Sequence, residues 1–111
     1  MDSGKTRPRL AAILAADVTR YTRLVEQDTQ GTVAAWKAAR DNVIRPIIAG
    51  RVGRLVKFTG DGFLAECQSV KDAVTGAMAI QQALAQASLA FRMGVHLGDV
   101  IDDGGEIHGE G

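Results

Sequence analysis

The stretch from Val52 to Cys67, VGRLVKFTGDGFLAEC, constrains the fold more than any other part of the chain. Two runs rich in β-branched and aromatic residues, Val52 to Thr59 and Phe63 to Cys67, flank Gly60-Asp61-Gly62. Asp-Gly between such runs is a strong short-range signal for a β-hairpin. Glycines on both sides of Asp61 allow a sharp turn and leave space for a ligand near the main chain. A plain solvated turn would use the same residues, because Asp-Gly is good turn chemistry in its own right. A second acidic residue in an equally unusual setting shifts the balance. Asp17 ends the run Leu10-Ala-Ala-Ile-Leu-Ala-Ala-Asp17, which reads as a strand buried on both faces, and the pattern after it turns helical.

A carboxylate at the end of a buried strand, followed by a helix N-terminus, suits a metal-bound polyphosphate, because free N–H groups and the helix dipole face the phosphates. The simpler role for Asp17 is a helix N-cap. A hard cation such as Mg²⁺ is usually bound by one or two carboxylates plus substrate phosphates. Asp17 and Asp61, each at a strand end, therefore suggest a two-carboxylate, two-metal site for phosphoryl transfer.

The remaining elements follow in order. Thr19 to Asp28 carries Tyr21, Leu24 and Val25 at helical spacing, and Gly31 interrupts it. A second helix is predicted from Thr32, with Val33, Trp36, Arg40, Val43, Ile44 and Ile47 recurring every three or four residues. Pro46 is predicted to kink or end it, by removing a backbone donor and crowding the preceding turn. Ser69-Val-Lys-Asp72 resembles a capping box and opens a helix with Val70, Ala73, Val74, Ala77, Ile80 and Leu84 on one apolar face. Ala90 to Val100 alternates as a strand, Asp102 to Gly105 is a turn, and Glu106-Ile-His108 begins a returning strand. The order β-α-α-β-β-α-β-(β) predicts an α+β fold: a ferredoxin-like, split βαβ antiparallel sheet with helices on one face. In such a sheet the strand ends holding Asp17 and Asp61 lie side by side.

At 111 residues the chain makes one domain, with residues 1–9 as an N-terminal leader and 10–111 as the folded unit. The formal net charge is zero, which gives no electrostatic reason for nucleic-acid or membrane-surface binding. No apolar run approaches the length of a bilayer span. A single cysteine, Cys67, in a predicted strand fits a reduced, cytoplasmic setting.

Three segments, LAAILAADVTRYTRLVEQD, GRLVKFTGDGFLAEC and FRMGVHLGDVIDDGGEIHGEG, resemble the catalytic domain of class III nucleotidyl cyclases of the bacterial adenylate/guanylate cyclase type. Together with the helical stretch before the third, they cover nearly all of the chain from Leu10, in the family's order and spacing. The resemblance implies a phosphorus–oxygen lyase that forms cyclic AMP and pyrophosphate from ATP with two Mg²⁺ or Mn²⁺ ions. Asp17 and Asp61 match the catalytic metal-binding aspartates, with Val18 beside them in the metal site. One metal would polarise the ribose 3′-hydroxyl and the other would hold the triphosphate. The main-chain N–H groups of Val18, Thr19, Arg20, Tyr21 and Thr22 match the phosphate-cradling turn, and Gly60 the substrate-binding hairpin tip. Lys57 matches the base-reading lysine of adenylate cyclases, where a guanylate cyclase usually carries Glu. Arg92 matches an arginine at the pyrophosphate end.

Glu106 stands where adenylate cyclases have Asp or Thr as second base-reading residue, and is one methylene longer than Asp. The family continues past the position of Gly111 into a helix with a ribose-orienting asparagine and a transition-state arginine. The resemblance thus implies a C-terminally truncated domain, itself inactive, lacking its last helix and strands. It also implies a head-to-tail homodimer in which one subunit supplies the aspartates and Arg92, and its partner supplies Lys57 and Glu106. A non-catalytic nucleotide-binding or dimerisation module is the alternative, and a guanylate or diguanylate cyclase a further one. The chain lacks the diguanylate cyclase's Gly-Gly-Asp/Glu-Glu-Phe hairpin signature. His96, His108, Trp36 and Asp99 read as structural or solvated residues.

Overall fold

The computed structural model describes residues 7–103 and 106–109, with side chains for residues 10–50 and 53–99. Its elements are β1 (Arg7–Val18), α1 (Tyr21–Gln27), α2 (Thr29–Ala39), a π-helical turn (Arg40–Ile44), α3 (Arg45–Ile47), a second π-helical turn (Ile48–Val52), β2 (Gly53–Phe58), β3 (Gly62–Cys67), α4 (Val70–Ala83), β4 (Phe91–Asp103) and β5 (Glu106–Gly109). The five strands form one antiparallel sheet in the order β2-β3-β1-β4-β5, as the α+β pattern predicts. The apolar strand β1 lies at its centre, paired with β3 on one side and β4 on the other.

Strand alternation divides β1 between two faces. Ala12, Leu14 and Val18 join the main core, together with Trp36, Ile44, Ile48, Phe63, Ala65, Ile80 and Phe91. Ala11 and Ile13 point to the other face, where, among the described residues, a small cluster with Leu64 forms. The helices pack on the first face, where Leu10, Val95 and Leu97 stay exposed, and leave the second open. Trp36 sits within an aromatic group, edge-on to Phe58 at 5.9 Å and tilted against Phe91 at 5.8 Å between ring centroids. A side chain as buried as Trp36, Phe63 or Phe91 contributes about 1.5–3 kcal/mol relative to exposure, and the half-buried Phe58 less. Burial also pushes the Cys67 thiol up to about 11, which keeps it protonated and inert.

Three helical expectations need correction. Of the two outcomes expected at Pro46, a kink or an end, the end does not occur: helical structure runs without interruption from residue 29 to 52, with a π turn on each side of the segment that holds the proline. The π turn before Pro46 explains this, because the Arg45 N–H reaches back five residues to the Arg40 carbonyl. That wider turn gives the proline ring room where an α-turn would crowd it. The buried stripe runs through Thr32, Trp36, Ala39, Ile44 and Ile48, with Val33 exposed on the flank, and its five-residue step from Ala39 to Ile44 falls at that turn. Second, the break between the first helices falls at Asp28, whose carboxylate caps α2 by accepting from the Gly31 N–H at 3.0 Å, so Gly31 lies inside the helix. Third, α4 starts as predicted, with the Ser69 Oγ accepting from the Asp72 N–H at 3.0 Å. Its buried face is Ala73, Gly76 and Ile80, continued by Leu84, whereas Val70 and Val74 lie one ridge around and stay largely exposed.

The expected central hairpin forms, with Phe58 opposite Phe63 and the Thr59 N–H donating to the Gly62 carbonyl at 2.8 Å. Neither glycine of the turn adopts positive φ. Gly62 is needed for a close approach instead. A Cβ there would stand 1.9 Å from the Ala16 carbonyl oxygen and 2.9 Å from the Asp17 Cα, while at Gly60 it would meet nothing within 4 Å. Gly62→Ala is accordingly expected to lower stability by about 1–3 kcal/mol, the usual cost of overpacking. Gly60→Ala should be close to neutral. Urea unfolding of the two variants checks the contrast; equal midpoints would contradict it.

Candidate functional site

Asp17 pairs with Gly62 of β3 on one side and with Arg92 of β4 on the other. Its neighbours Ala16 and Val18 turn to the core, so alternation sends Asp17 to the open face. The next backbone contacts fix the surroundings. The Val18 N–H donates to the Asp61 carbonyl at 2.8 Å, and the Thr19 N–H donates to the Ala90 carbonyl at 2.8 Å. The first ties the hairpin tip to the end of β1 and brings Asp61 beside Asp17. Both aspartates line an open cavity of about 530 Å³, with Lys57, Thr59, Arg92 and Gly94.

Arg92 grips Asp17 with both arms of its guanidinium: Nε to Oδ1 at 3.0 Å and Nη2 to Oδ2 at 3.3 Å. This hydrogen bond, then the charge of Asp17 and in smaller part that of Asp61, raises the arginine pKa above its ordinary value. Arg92 remains permanently charged.

Lys57 reaches the cavity through a feature that the alternation did not reveal. The β2–β3 register slips between Leu55 and Lys57, leaving Val56 as a bulge. Leu55 and Phe58, three residues apart, both pack against the main core. Strict alternation would put two residues that far apart on opposite faces and carry Lys57 to the core face with Leu55. The extra residue reverses the phase and turns Lys57 to the open side.

The predicted phosphate cradle is narrower than Val18 to Thr22. The N–H groups of Val18 and Thr19 are already bonded, which leaves Arg20, Tyr21 and Thr22 at the start of α1. Tyr21 packs against the core. Arg20, not Asp17, is the N-cap residue, in the left-handed region at φ 58° with no side-chain capping bond. A non-glycine residue held there costs about 1–2 kcal/mol. Gly60 lies exposed at the hairpin tip next to Asp61. Glu106 opens β5 at the opposite edge of the sheet from β2, across three intervening strands, so one chain does not bring its backbone near Lys57. Its side chain, and that of His108, lies outside the described residues. His96 is exposed on the open face with its ring against Gly98.

Among the described residues no three His, Cys, Asp or Glu side chains group as a metal cage. Two carboxylates lining one solvent-open cavity are donors of the kind that fit a hard cation such as Mg²⁺ or Mn²⁺ when water and substrate oxygens complete its coordination. No helix among those residues is long and apolar enough to cross a membrane.

No protein-family model matches the chain. A putative adenylate cyclase 3 of Rhizobium meliloti (strain 1021) is 41% identical over 113 residues, covering 95% of this chain and 19% of that protein. The crystal structure of an adenylate/guanylate cyclase/hydrolase from Silicibacter pomeroyi superposes with a TM-score of 0.85 at 36% identity. That match covers 96% of this chain and 66% of the other. The guanylyl cyclase Cya2 shares the fold at a TM-score of 0.74 and 21% identity, over 87% of this chain and 58% of its own. The chain thus spans about a fifth of the curated relative and about two thirds of the first solved structure.

The bulge yields a direct expectation. Deleting Val56 leaves Leu55, Lys57 and Phe58 in simple alternation, core, open and core, so the pairing with Ala65, Leu64 and Phe63 becomes regular and neither side chain has to change face. Because Phe58 packs on Trp36, the urea midpoint and the Trp36 emission maximum should stay close to those of the unaltered protein. A fallen midpoint with red-shifted emission would show that Val56 is not simply the extra residue of a bulge.

Proposed function

This chain belongs to the class III nucleotidyl cyclase catalytic domains, and we propose that it converts ATP to 3′,5′-cyclic AMP and pyrophosphate for cyclic-nucleotide signalling. The observation that carries this is the meeting of Asp17, Asp61, Lys57 and Arg92 in one open cavity. Asp17 and Asp61, with Val18 beside them, would hold Mg²⁺ or Mn²⁺, which would supply charge neutralisation at the triphosphate and a lowered pKa at the attacking ribose hydroxyl. The first-turn N–H groups of α1 and the nearby Gly60 tip orient the phosphates, and Arg92 engages the pyrophosphate end, where a guanidinium fork matches phosphate oxygens. The 3′-oxygen bonds to the α-phosphorus while the bridge to the β-phosphate breaks, so the reaction is an intramolecular displacement that needs positioning and charge stabilisation.

Base choice falls to Lys57, whose ammonium donates to adenine N1, and to Glu106. The active unit in this proposal is a head-to-tail homodimer joined through the open sheet face, in which each copy lends Lys57 and Glu106 to the other's aspartates. The cavity that Lys57 lines in its own chain makes the alternative concrete: the lysine serves the aspartates beside it.

Two measurements separate these outcomes in the full-length protein. With Mn²⁺ present, Lys57→Glu should reduce the ATP-over-GTP preference in kcat/KM by about tenfold or more, since an acceptor replaces the donor that reads the base. An unaltered preference would remove Lys57 from base recognition. Mixing Asp17→Asn with Lys57→Glu protein should then restore ATP turnover, because one site of each mixed dimer keeps both residues. If Lys57 served its own chain's aspartates, no site of the mixed dimer would be intact and turnover would stay lost.

A further inference from the structure

Arg92 occupies both oxygens of the carboxylate that the proposed function assigns to a cation. We propose that Arg92 is an exchangeable counter-ion for Asp17, which keeps free divalent cations out and yields the carboxylate to a cation arriving on a polyphosphate. The inference rests on the cyclase reading of the site and adds an order of entry to it.

Among the described residues, four charged side chains line the cavity, and their charges cancel: Asp17 and Asp61 against Lys57 and Arg92. A free Mn²⁺ or Mg²⁺ approaching Asp17 therefore meets little net attraction. It also meets a fixed positive charge hydrogen-bonded to both oxygens of the ligand it needs. A cation already bound to a triphosphate brings its own anionic oxygens. The guanidinium then trades one bidentate acceptor for another, carboxylate for phosphate, and Asp17 trades the guanidinium for the cation. Each charge keeps a partner throughout.

The geometry allows the exchange. Arg92 is 73% exposed and Asp17 41% exposed at the side chain, so the pair is held by solvent-screened attraction and not by burial. An exposed pair of this kind is weak enough to open on demand. It is also strong enough to bias a cation's affinity by about two- to fivefold.

The test uses Mn²⁺ as probe, free ion being followed by electron paramagnetic resonance, with and without 3′-deoxy-ATP, which cannot cyclise. In Arg92→Gln protein, affinity for Mn²⁺ alone should rise by about two- to fivefold. The enhancement of Mn²⁺ binding by the nucleotide should shrink, because Arg92 is no longer there to be transferred. Arg92→Lys keeps the charge without the fork and should fall between the two. Unchanged or weaker binding of Mn²⁺ alone by Arg92→Gln would overturn the counter-ion role while leaving the metal site standing. Asp17→Asn distinguishes the deeper failure. If nucleotide-dependent Mn²⁺ binding by the unaltered protein does not depend on Asp17, the cation is not held there, and this inference falls with the site. Urea midpoints of the variants exclude misfolding as the cause.

Discussion

The close approach of Gly62 to the end of β1 is the contact on which the rest of the site depends. A Cβ at that position would lie 1.9 Å from the Ala16 carbonyl oxygen, so only glycine lets β3 begin there. Once it does, the Val18 N–H closes on the Asp61 carbonyl at 2.8 Å. Two carboxylates from segments more than forty residues apart in sequence then share one cavity. Bringing like charges together is unfavourable unless something compensates, and Arg92, paired with Asp17 across β4, supplies that compensation within the fold.

The two faces of the sheet divide the work. The covered face holds the aromatic and aliphatic core that fixes strand positions, with Trp36, Phe58, Phe63 and Phe91 at the end nearest the site. The open face carries the polar chemistry. Small residues there, Ala15 and Gly94 within the cavity, leave room above the strands instead of filling it. Val56 couples the two faces. As the bulged residue, it lets Leu55 and Phe58 remain in the core while Lys57 joins Asp17 and Asp61. Local irregularity in a strand that would otherwise alternate is a common way of re-aiming a side chain at a functional site.

Much of this was legible in the sequence because the signals were local. The hairpin, the first strand, the Ser69 cap and β4 each rest on a few neighbouring residues, and each formed, although Leu10 of the first strand and Val95 and Leu97 of β4 stay exposed instead of buried. Asp17 and Asp61 were identifiable because acidic residues at strand ends stand out against apolar runs. What escaped was set by non-local packing. Pro46 carries the signature of a helix end, yet a π turn absorbs it, and nothing in RDNVIRPI announces an i−5 bond. Val74 has the spacing of a core residue, but the sheet selects the adjacent ridge of α4. Gly62 has the sequence setting of a turn glycine, whereas its need arises from a strand it does not adjoin in sequence. The bulge left one trace, two apolar residues three apart around Lys57, which alternation alone does not distinguish from a simple strand.

The central claim is that Asp17 and Asp61 act as one cation site whose remaining coordination comes from a nucleotide. Mn²⁺ affinity in the presence of saturating ATP, measured for Asp17→Asn, Asp61→Asn and the double variant, tests it most directly. Each single change should weaken nucleotide-dependent Mn²⁺ binding by about tenfold or more, and the double variant should lose far less than the product of the two, as groups acting as a unit do. Undiminished affinity in both single variants, with the fold intact, would contradict the account.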